Sequence, residues 1–149
     1  MLAPSVERAV GPAHAFAVAS RDRYPTYLEF LAERTGIRVP LNRLGILQVA
    51  LSERGIRGLR KTAPASSRWL DAKELHDLEP ALSHCLGAMY NPDDGAVDNV
   101  ELIRALTRLC ADNPRISRIP PAATAVAASG PRLSVLADDG ERRSASHVV

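Results

Sequence analysis

The stretch from residue 69 to residue 110 constrains the fold most, because it contains two helix-start signals and one forced helix end. Asp71 and Glu74 have the spacing of a capping box, in which each side chain accepts a hydrogen bond from the backbone of the other residue. Pro80 disfavours a helical backbone at Glu79, so the helix must end there. We therefore predict a short helix whose two ends are both fixed locally.

The second half of this stretch predicts a strand, a turn and another helix. Residues 86–90 form an apolar run of strand length, and residues 91–95 have the Asn, Pro, Asp and Gly composition of a turn. Asp98 and Glu101 then repeat the capping spacing. Apolar residues on one face of the following helix predict that it packs against a sheet: Leu102, Leu106 and Leu109.

A long helix is predicted earlier in the chain, from residue 11 to residue 36. Its apolar residues recur at helical spacing and are expected to form one stripe: Phe16, Ala19, Tyr24, Tyr27, Leu28 and Leu31. We interpret the two tyrosines as core residues rather than ligand contacts. Pro25 lacks a backbone donor, so we expect a kink or a restart near Tyr24. Gly36 suits the left-handed position that closes a helix.

Strands are predicted on both sides of the central stretch. Residues 44–51 form the clearest one, and Gly45 within it indicates a bulge or a close backbone approach. Ser52 is placed to cap a short helix after it, with its basic residues on the outer side. After Pro114 we predict a β-meander with strands at residues 115–120, 124–127 and 133–136, and the start of a strand at residues 146–149. Together these elements predict an α+β fold.

Composition bounds the function classes. The chain has 149 residues, 46% of them hydrophobic and 24% charged, which is typical of a globular domain. A net charge of +2 predicts no nucleic-acid partner. No apolar run approaches the about 20 residues that span a membrane, and no signal peptide is visible, so we expect a cytoplasmic protein without a membrane partner. Cys85 and Cys110 show no metal spacing and are expected to be buried free thiols.

One cluster of carboxylates and one isolated carboxylate are candidate sites. Asp93, Asp94 and Asp98 lie close together, but they do not satisfy the calcium-loop pattern, and turn and cap roles explain all three. Glu79 is placed as a structural acceptor at a helix end rather than as a general base. We therefore predict no metal site and no catalytic residue within the chain.

Three motifs in the central stretch resemble a known family. They are the acidic-aliphatic Glu-Pro helix end at residues 77–80, the Gly-Ala-Met-Tyr strand at residues 87–90, and Asp-Asp-Gly-Ala-Val-Asp at residues 93–98. This combination resembles the FAD-dependent D-amino-acid oxidase family, and within it the glycine oxidases of thiamine biosynthesis. The resemblance implies a partial FAD-dependent oxidoreductase fold: residues 1–112 as a substrate-domain portion with the kinked N-terminal helix, and residues 113–149 as a β-meander returning to the FAD-binding domain.

The resemblance also implies an activity and cofactor contacts. In such enzymes an amine is oxidised by hydride transfer to the flavin, the imine is hydrolysed and hydrogen peroxide is released. Met1 and Leu2 would lie beside the flavin ring, and Ala123 would place its backbone against the adenine end of FAD. Met1 is read either as an internal methionine of a longer ancestral chain or as an initiator on a loose tail.

The dinucleotide-binding motif expected of such an enzyme is absent from these 149 residues. Nine glycines are present, but none form the G-x-G-x-x-G turn that lets the backbone approach a pyrophosphate. We therefore expect an internal oxidase fragment that binds FAD weakly or not at all alone, with a missing FAD-binding half as its partner and a small amino acid as its substrate. A non-catalytic interaction or small-ligand module and a partner chain of a split oxidase are the alternatives, and a homo-oligomer stays possible.

Overall fold

The computed structural model describes residues 2–7 and 10–149. Its contacts divide the chain into two compact units, Met1–Leu109 and Cys110–Val149. The helices and strands of the described residues are, in chain order, α1 Gly11–Thr35, β1 Leu41–Asn42, β2 Ile46–Ala50, α2 Glu53–Lys61, β3 Arg68–Asp71, α3 Ala72–Leu78, a 3-10 turn Pro80–Leu82, β4 Gly87–Asn91, β5 Ala96–Val97, α4 Asn99–Ala111, β6 Ala123–Ser129, β7 Arg132–Ala137 and β8 Arg142–Ala145.

Helix α1 is one uninterrupted helix, so of the kink or restart expected near Tyr24, the restart does not occur. Pro25 lies inside it, and the buried side chains of Leu28 and Leu31 in the next turn hold the helix to the core despite the missing donor. Gly36 closes the helix as predicted, with φ 73° and its N–H bonded to the carbonyl of Ala32. The prediction of a single apolar stripe along this helix is only partly confirmed, because Phe16 is 77% exposed.

The first core cluster lies between α1 and α4. Leu28 and Leu31 pack with Val39 and Ala105, and the predicted apolar face of α4 surrounds them. We expected α4 to pack against a sheet, and residues of the small β1–β5 sheet do pack against this cluster, together with those of α1 and α4. Of the two tyrosines expected in the core, Tyr24 packs against this cluster, whereas Tyr27 is 41% exposed.

The first unit contains a three-stranded antiparallel sheet with the order β2–β4–β3, which we call the central sheet. Strand β3 was not predicted, because only Leu70 of its four residues is buried. Of the bulge or close approach predicted at Gly45, the structure shows a close approach between its backbone and the ring of Tyr90. A Cβ at this position would clash with that ring. The Arg60 guanidinium lies 4.7 Å from the ring centroid of Trp69, so this arginine is not purely solvent-facing.

The helix caps follow the predictions with one exception. Asp71 and Glu74 form the complete capping box of α3, and that helix ends at Leu78 before Pro80. Asp98 caps α4 by accepting bonds from the N–H groups of Val100 and Glu101. The Glu101 carboxylate bonds Arg104 instead of reaching back, and the Asp98 N–H bonds the carbonyl of Pro40.

The second core cluster lies under one face of the central sheet. Leu70, Leu75, Cys85 and Ala88 are buried in it, and Leu47 packs against it from β2. Both cysteines are free thiols, but Cys110 is exposed, which corrects the expectation that both are buried.

The second unit contains the antiparallel sheet β6–β7–β8, so the predicted meander is present. Two of its expected strands are wrong: residues 115–120 and residues 146–149 are not in strands. The third strand is Arg142–Ala145, which the turn at residues 138–140 brings into register with β7. The predicted α+β class is confirmed. Among the described residues, no helix is long and apolar enough to cross a membrane.

Candidate functional site

The N-terminal segment is attached to the turn that follows β4. Leu2 and Gly95 form an isolated antiparallel bridge. The Leu2 N–H donates to the Gly95 carbonyl at 2.8 Å, and the Gly95 N–H donates to the Leu2 carbonyl at 2.9 Å. Ala3 and Pro4, which follow, are buried. The segment therefore has its Leu2 backbone groups satisfied and its apolar side chains packed.

A buried carboxylate strengthens this attachment. The side chain of Asp94 has 0% exposure, and it accepts hydrogen bonds from the Ser5 N–H at 3.2 Å and from the Ser5 hydroxyl at 3.1 Å. The Arg21 guanidinium lies 3.4 Å from the same carboxylate. A buried charge is costly unless it is paired and hydrogen-bonded, and here both conditions are met.

Arg21 reaches Asp94 from helix α1 and is held by a second carboxylate. Its Nε and Nη2 atoms both lie 2.8 Å from Oδ1 of Asp22, while Nη1 faces Asp94. Its side chain is 17% exposed, so this arginine bridges the helix surface and the buried turn. We call Leu2, Ser5, Arg21, Asp94 and Gly95 the Asp94 junction.

Gly95 is the residue that lets the junction form against the neighbouring strand. A Cβ at this position would clash with the backbone carbonyl of Asn42, which lies in β1. Ala96, the next residue, pairs with Asn42 in the β1–β5 sheet. The turn therefore contacts the N-terminal segment and β1 together, and glycine provides the space.

The residues predicted to contact a cofactor are placed as follows. Met1 lies outside the described residues. Leu2 is half-buried in the Asp94 junction. Ala123 is exposed at the start of β6, in the other unit, where the pairing with β7 shifts register between Ala123 and Ala125. Such irregularities re-aim the backbone and are frequent beside active sites.

The three aspartates of the acidic turn have different surroundings. Asp93 is exposed, Asp94 is bonded to Ser5 and Arg21, and Asp98 caps α4. Among residues 2–7 and 10–149, no group of three or more His, Cys, Asp or Glu side chains is arranged to hold a metal ion.

No motif or spacing in the sequence indicates the Asp94 junction. Ser5 lies 89 positions and Arg21 lies 73 positions before Asp94. Asp93 and Asp94 look equivalent in sequence. Asp94 is the buried one because Ser5 and Arg21, which are distant in sequence, contact it in the folded unit.

Comparison with known proteins gives concordant results. The family model described as FAD dependent oxidoreductase matches residues 1–147. The bifunctional protein ThiO/ThiG of Synechocystis sp. is 35% identical over 108 residues, which are 71% of this chain and 16% of that protein. The glycine oxidase of Geobacillus kaustophilus is 33% identical over 102 residues, which are 60% of this chain and 26% of that protein.

The fold is also similar to a solved oxidase. The crystal structure of glycine oxidase from Geobacillus kaustophilus superimposes with a TM-score of 0.84 and 26% identity, covering 97% of this chain and 41% of that one. The chain therefore spans less than half the length of each of these relatives.

Proposed function

The chain belongs to the FAD-dependent oxidoreductase family, and from this premise we propose that it supplies part of an oxidase that deaminates glycine or another small amino acid. It is a part of the glycine oxidase type of fold, as its curated relatives and the solved structure agree. The observation that carries the proposal is the fold similarity over 97% of the chain, at a TM-score of 0.84, to a protein described as a glycine oxidase.

The chemistry of the proposed reaction belongs mostly to the cofactor. Bound FAD would supply the acceptor for a hydride from the carbon that carries the amine, and the route by which the two electrons reach oxygen to give hydrogen peroxide. The imine product is then hydrolysed. These 149 residues contribute the protein surface beside the flavin ring and hold that surface in position.

The surroundings of Leu2 support its contact with the apolar part of the cofactor. Leu2 is half-buried, its backbone N–H and carbonyl are both bonded to Gly95, and Ala3 and Pro4 pack next to it. A segment whose polar groups are satisfied suits contact with a flat ring. We therefore propose that Met1 and Leu2 line the flavin, and that the backbone at the exposed residue Ala123 contacts its adenine end.

The charged pyrophosphate requires a different part of the fold. No G-x-G-x-x-G occurs in the 149 residues, and this motif is what lets a backbone approach phosphate oxygens closely. We propose that a nucleotide-binding half binds the pyrophosphate. This half is either joined to these residues in one longer chain or present as a separate partner chain. The alternative is a non-catalytic module that retains the fold without the cofactor. We further propose a cytoplasmic location, which the two free thiols support.

The test begins with the coding DNA on both sides of these 149 codons. A G-x-G-x-x-G in the same or a shifted frame supports one longer oxidase, and a separate neighbouring reading frame supports a two-chain oxidase. The protein that this DNA encodes, whether one chain or two produced together, is then purified and its flavin content measured.

We expect about one FAD per complete protein and little or none on the 149-residue chain alone. A folded complete protein without affinity for FAD contradicts the proposal and favours the non-catalytic module. Stoichiometric flavin on the 149-residue chain alone refutes the requirement for a second half.

A further inference from the structure

Asp94 is buried without being needed for the turn that contains it. The turn uses only its backbone, through the bond from the Asp94 N–H to the Asn91 carbonyl. Asn91, the other buried polar side chain of the described core, is explained by its bonds to Ser67 and to the backbone of β2. The Asp94 carboxylate instead faces residues from the beginning of the chain.

The bonds of this carboxylate couple two segments that are distant in sequence. Burying a carboxylate is unfavourable unless donors replace the lost water, and the donors here are two groups of Ser5 and the Arg21 guanidinium. If the N-terminal segment left, Asp94 would keep only Arg21. The carboxylate therefore favours the state in which the segment is docked.

The backbone bridge alone specifies the docked position weakly. It consists of two hydrogen bonds between Leu2 and Gly95 and does not continue into a strand. Backbone bonds do not distinguish one residue from the next, so a bridge this short has little control of register. The side chain of Ser5, three residues further along, adds the missing specification by bonding Asp94.

We propose that Asp94 is a positioning residue: through Ser5 and Arg21 it fixes the register of the segment from Leu2 to Ser5, and so fixes where this segment meets the flavin ring. The second half of this statement rests on the proposed function, and the first half does not. Asp94 touches neither substrate nor cofactor; through its bonds to Ser5 it sets the position of Leu2.

The first experiment contains no flavin and uses the 149-residue chain. Amide exchange is followed by NMR in the unaltered protein and in Asp94→Asn, which keeps the shape of the side chain and removes its charge. The reporting amides are those of Gly95, bonded to Leu2, and of Ser5, bonded to Asp94. Asp93→Asn is the matched control, since it makes the same change at the exposed neighbouring residue.

We expect Asp94→Asn to accelerate exchange at Gly95 and Ser5 by about tenfold or more, because charge-assisted hydrogen bonds to a buried carboxylate are lost. The amides of β4 should change by less than about twofold, and Asp93→Asn should change none of them. Unchanged Gly95 and Ser5 amides in Asp94→Asn overturn the proposal. So does an unaltered chain in which Gly95 exchanges as freely as in an unstructured peptide.

A milder variant covers the case in which Asp94→Asn does not fold. Ser5→Ala removes the hydroxyl donor and leaves the carboxylate with the backbone N–H of residue 5 and with Arg21. Faster exchange confined to the N-terminal segment and Gly95 supports positioning. Equal acceleration throughout the central sheet shows a general structural role and contradicts it.

The second experiment tests the consequence for the cofactor in the complete FAD-binding protein. Asp94→Asn should weaken FAD binding about tenfold or shift the visible flavin spectrum, whereas Asp93→Asn should do neither. If local exchange rises but FAD affinity and spectrum stay unchanged, Asp94 does not position the ring-side segment. If no variant or parent binds FAD while the exchange result holds, the proposed function fails and the role of Asp94 in register remains.

Discussion

The contacts within the first unit join residues far apart in the sequence, whereas those within the second unit join neighbouring strands. In Met1–Leu109, strand β2 pairs with β4, more than thirty residues later, and Ser5 bonds Asp94 at a separation of 89 positions. In Cys110–Val149, each strand pairs with the next one along the chain. Among the described residues, Ala137 is the only buried hydrophobic residue of the second unit, whereas the first unit has two core clusters.

This difference indicates that the two units depend on different forces. The first unit depends on burial of apolar side chains brought together from distant parts of the sequence. The second depends mainly on backbone pairing in a three-stranded sheet, which is near the lower limit for independent stability. The first unit should therefore be sensitive to single core substitutions, and the second should unfold more readily but respond less to them.

The largest effect is expected at Leu70, which is fully buried in the second core cluster. Leu70→Ala should lower the free energy of unfolding by about 2–5 kcal/mol, because it removes buried methyl groups and leaves a cavity. Chemical denaturation followed by the fluorescence of Trp69, the only tryptophan and its neighbour, measures this loss. A loss below about 1 kcal/mol would contradict the burial that defines this unit.

The matched substitution in the second unit is Leu136→Ala. Leu136 is only half-buried in β7, so its removal should cost about 1–2 kcal/mol and should affect the amides of β6 and β8 alone. Amide exchange measured strand by strand provides the test. A cost equal to that of Leu70→Ala, or a change in the amides of β4, would remove the contrast between the units.

A smaller effect is expected at the local cap of α3. Asp71→Ala should cost about 1 kcal/mol, because the Glu74 N–H loses its acceptor at 2.8 Å. Asp77→Ala on the same helix is the control, since that exposed residue makes no cap. Equal thermal midpoints for the two variants would show that the cap does not stabilise the helix.

The smallest effect concerns the exposed pair Lys73 and Asp77. Their hydrogen bond lowers the pKa of Asp77 and raises the pKa of Lys73. The contribution of Asp77 is present above its unfolded pKa and is lost as pH falls through the lower folded pKa. That of Lys73 is present below its unfolded pKa and is lost as pH rises through the higher folded pKa.

Because both groups are exposed, solvent and salt screen this pair. Asp77→Asn should therefore change the unfolding midpoint only slightly at neutral pH, and the difference should disappear at acid pH or in high salt. The midpoint is measured across pH for both proteins. A large difference that persists in high salt would place this pair in a buried environment and contradict the structure.

The same contrast of range explains what the sequence could predict. The cap at Asp71, the helix end before Pro80 and the meander turns depend on neighbouring residues, and the structure contains them. Strand β3 was missed because its pairing with β4 is not visible in its own four residues. Phe16 was misplaced because periodicity shows a face but not whether another element covers it.

The candidate site divides in the same way. Leu2 and Ala123 were proposed through family resemblance, since no spacing of residues in the chain indicates a flavin contact. The Asp94 junction could not be predicted, because burial of Asp94 rather than Asp93 depends on Ser5 and Arg21, which approach only in the folded unit.

Anaerobic titration of the complete FAD-loaded protein with glycine and other small amino acids decides whether these residues form part of an amine-oxidising flavoenzyme. We expect at least one of these amines to abolish the visible absorption of the bound flavin, and the absorption to return when oxygen is admitted. A folded, FAD-loaded protein whose spectrum none of them changes would contradict it.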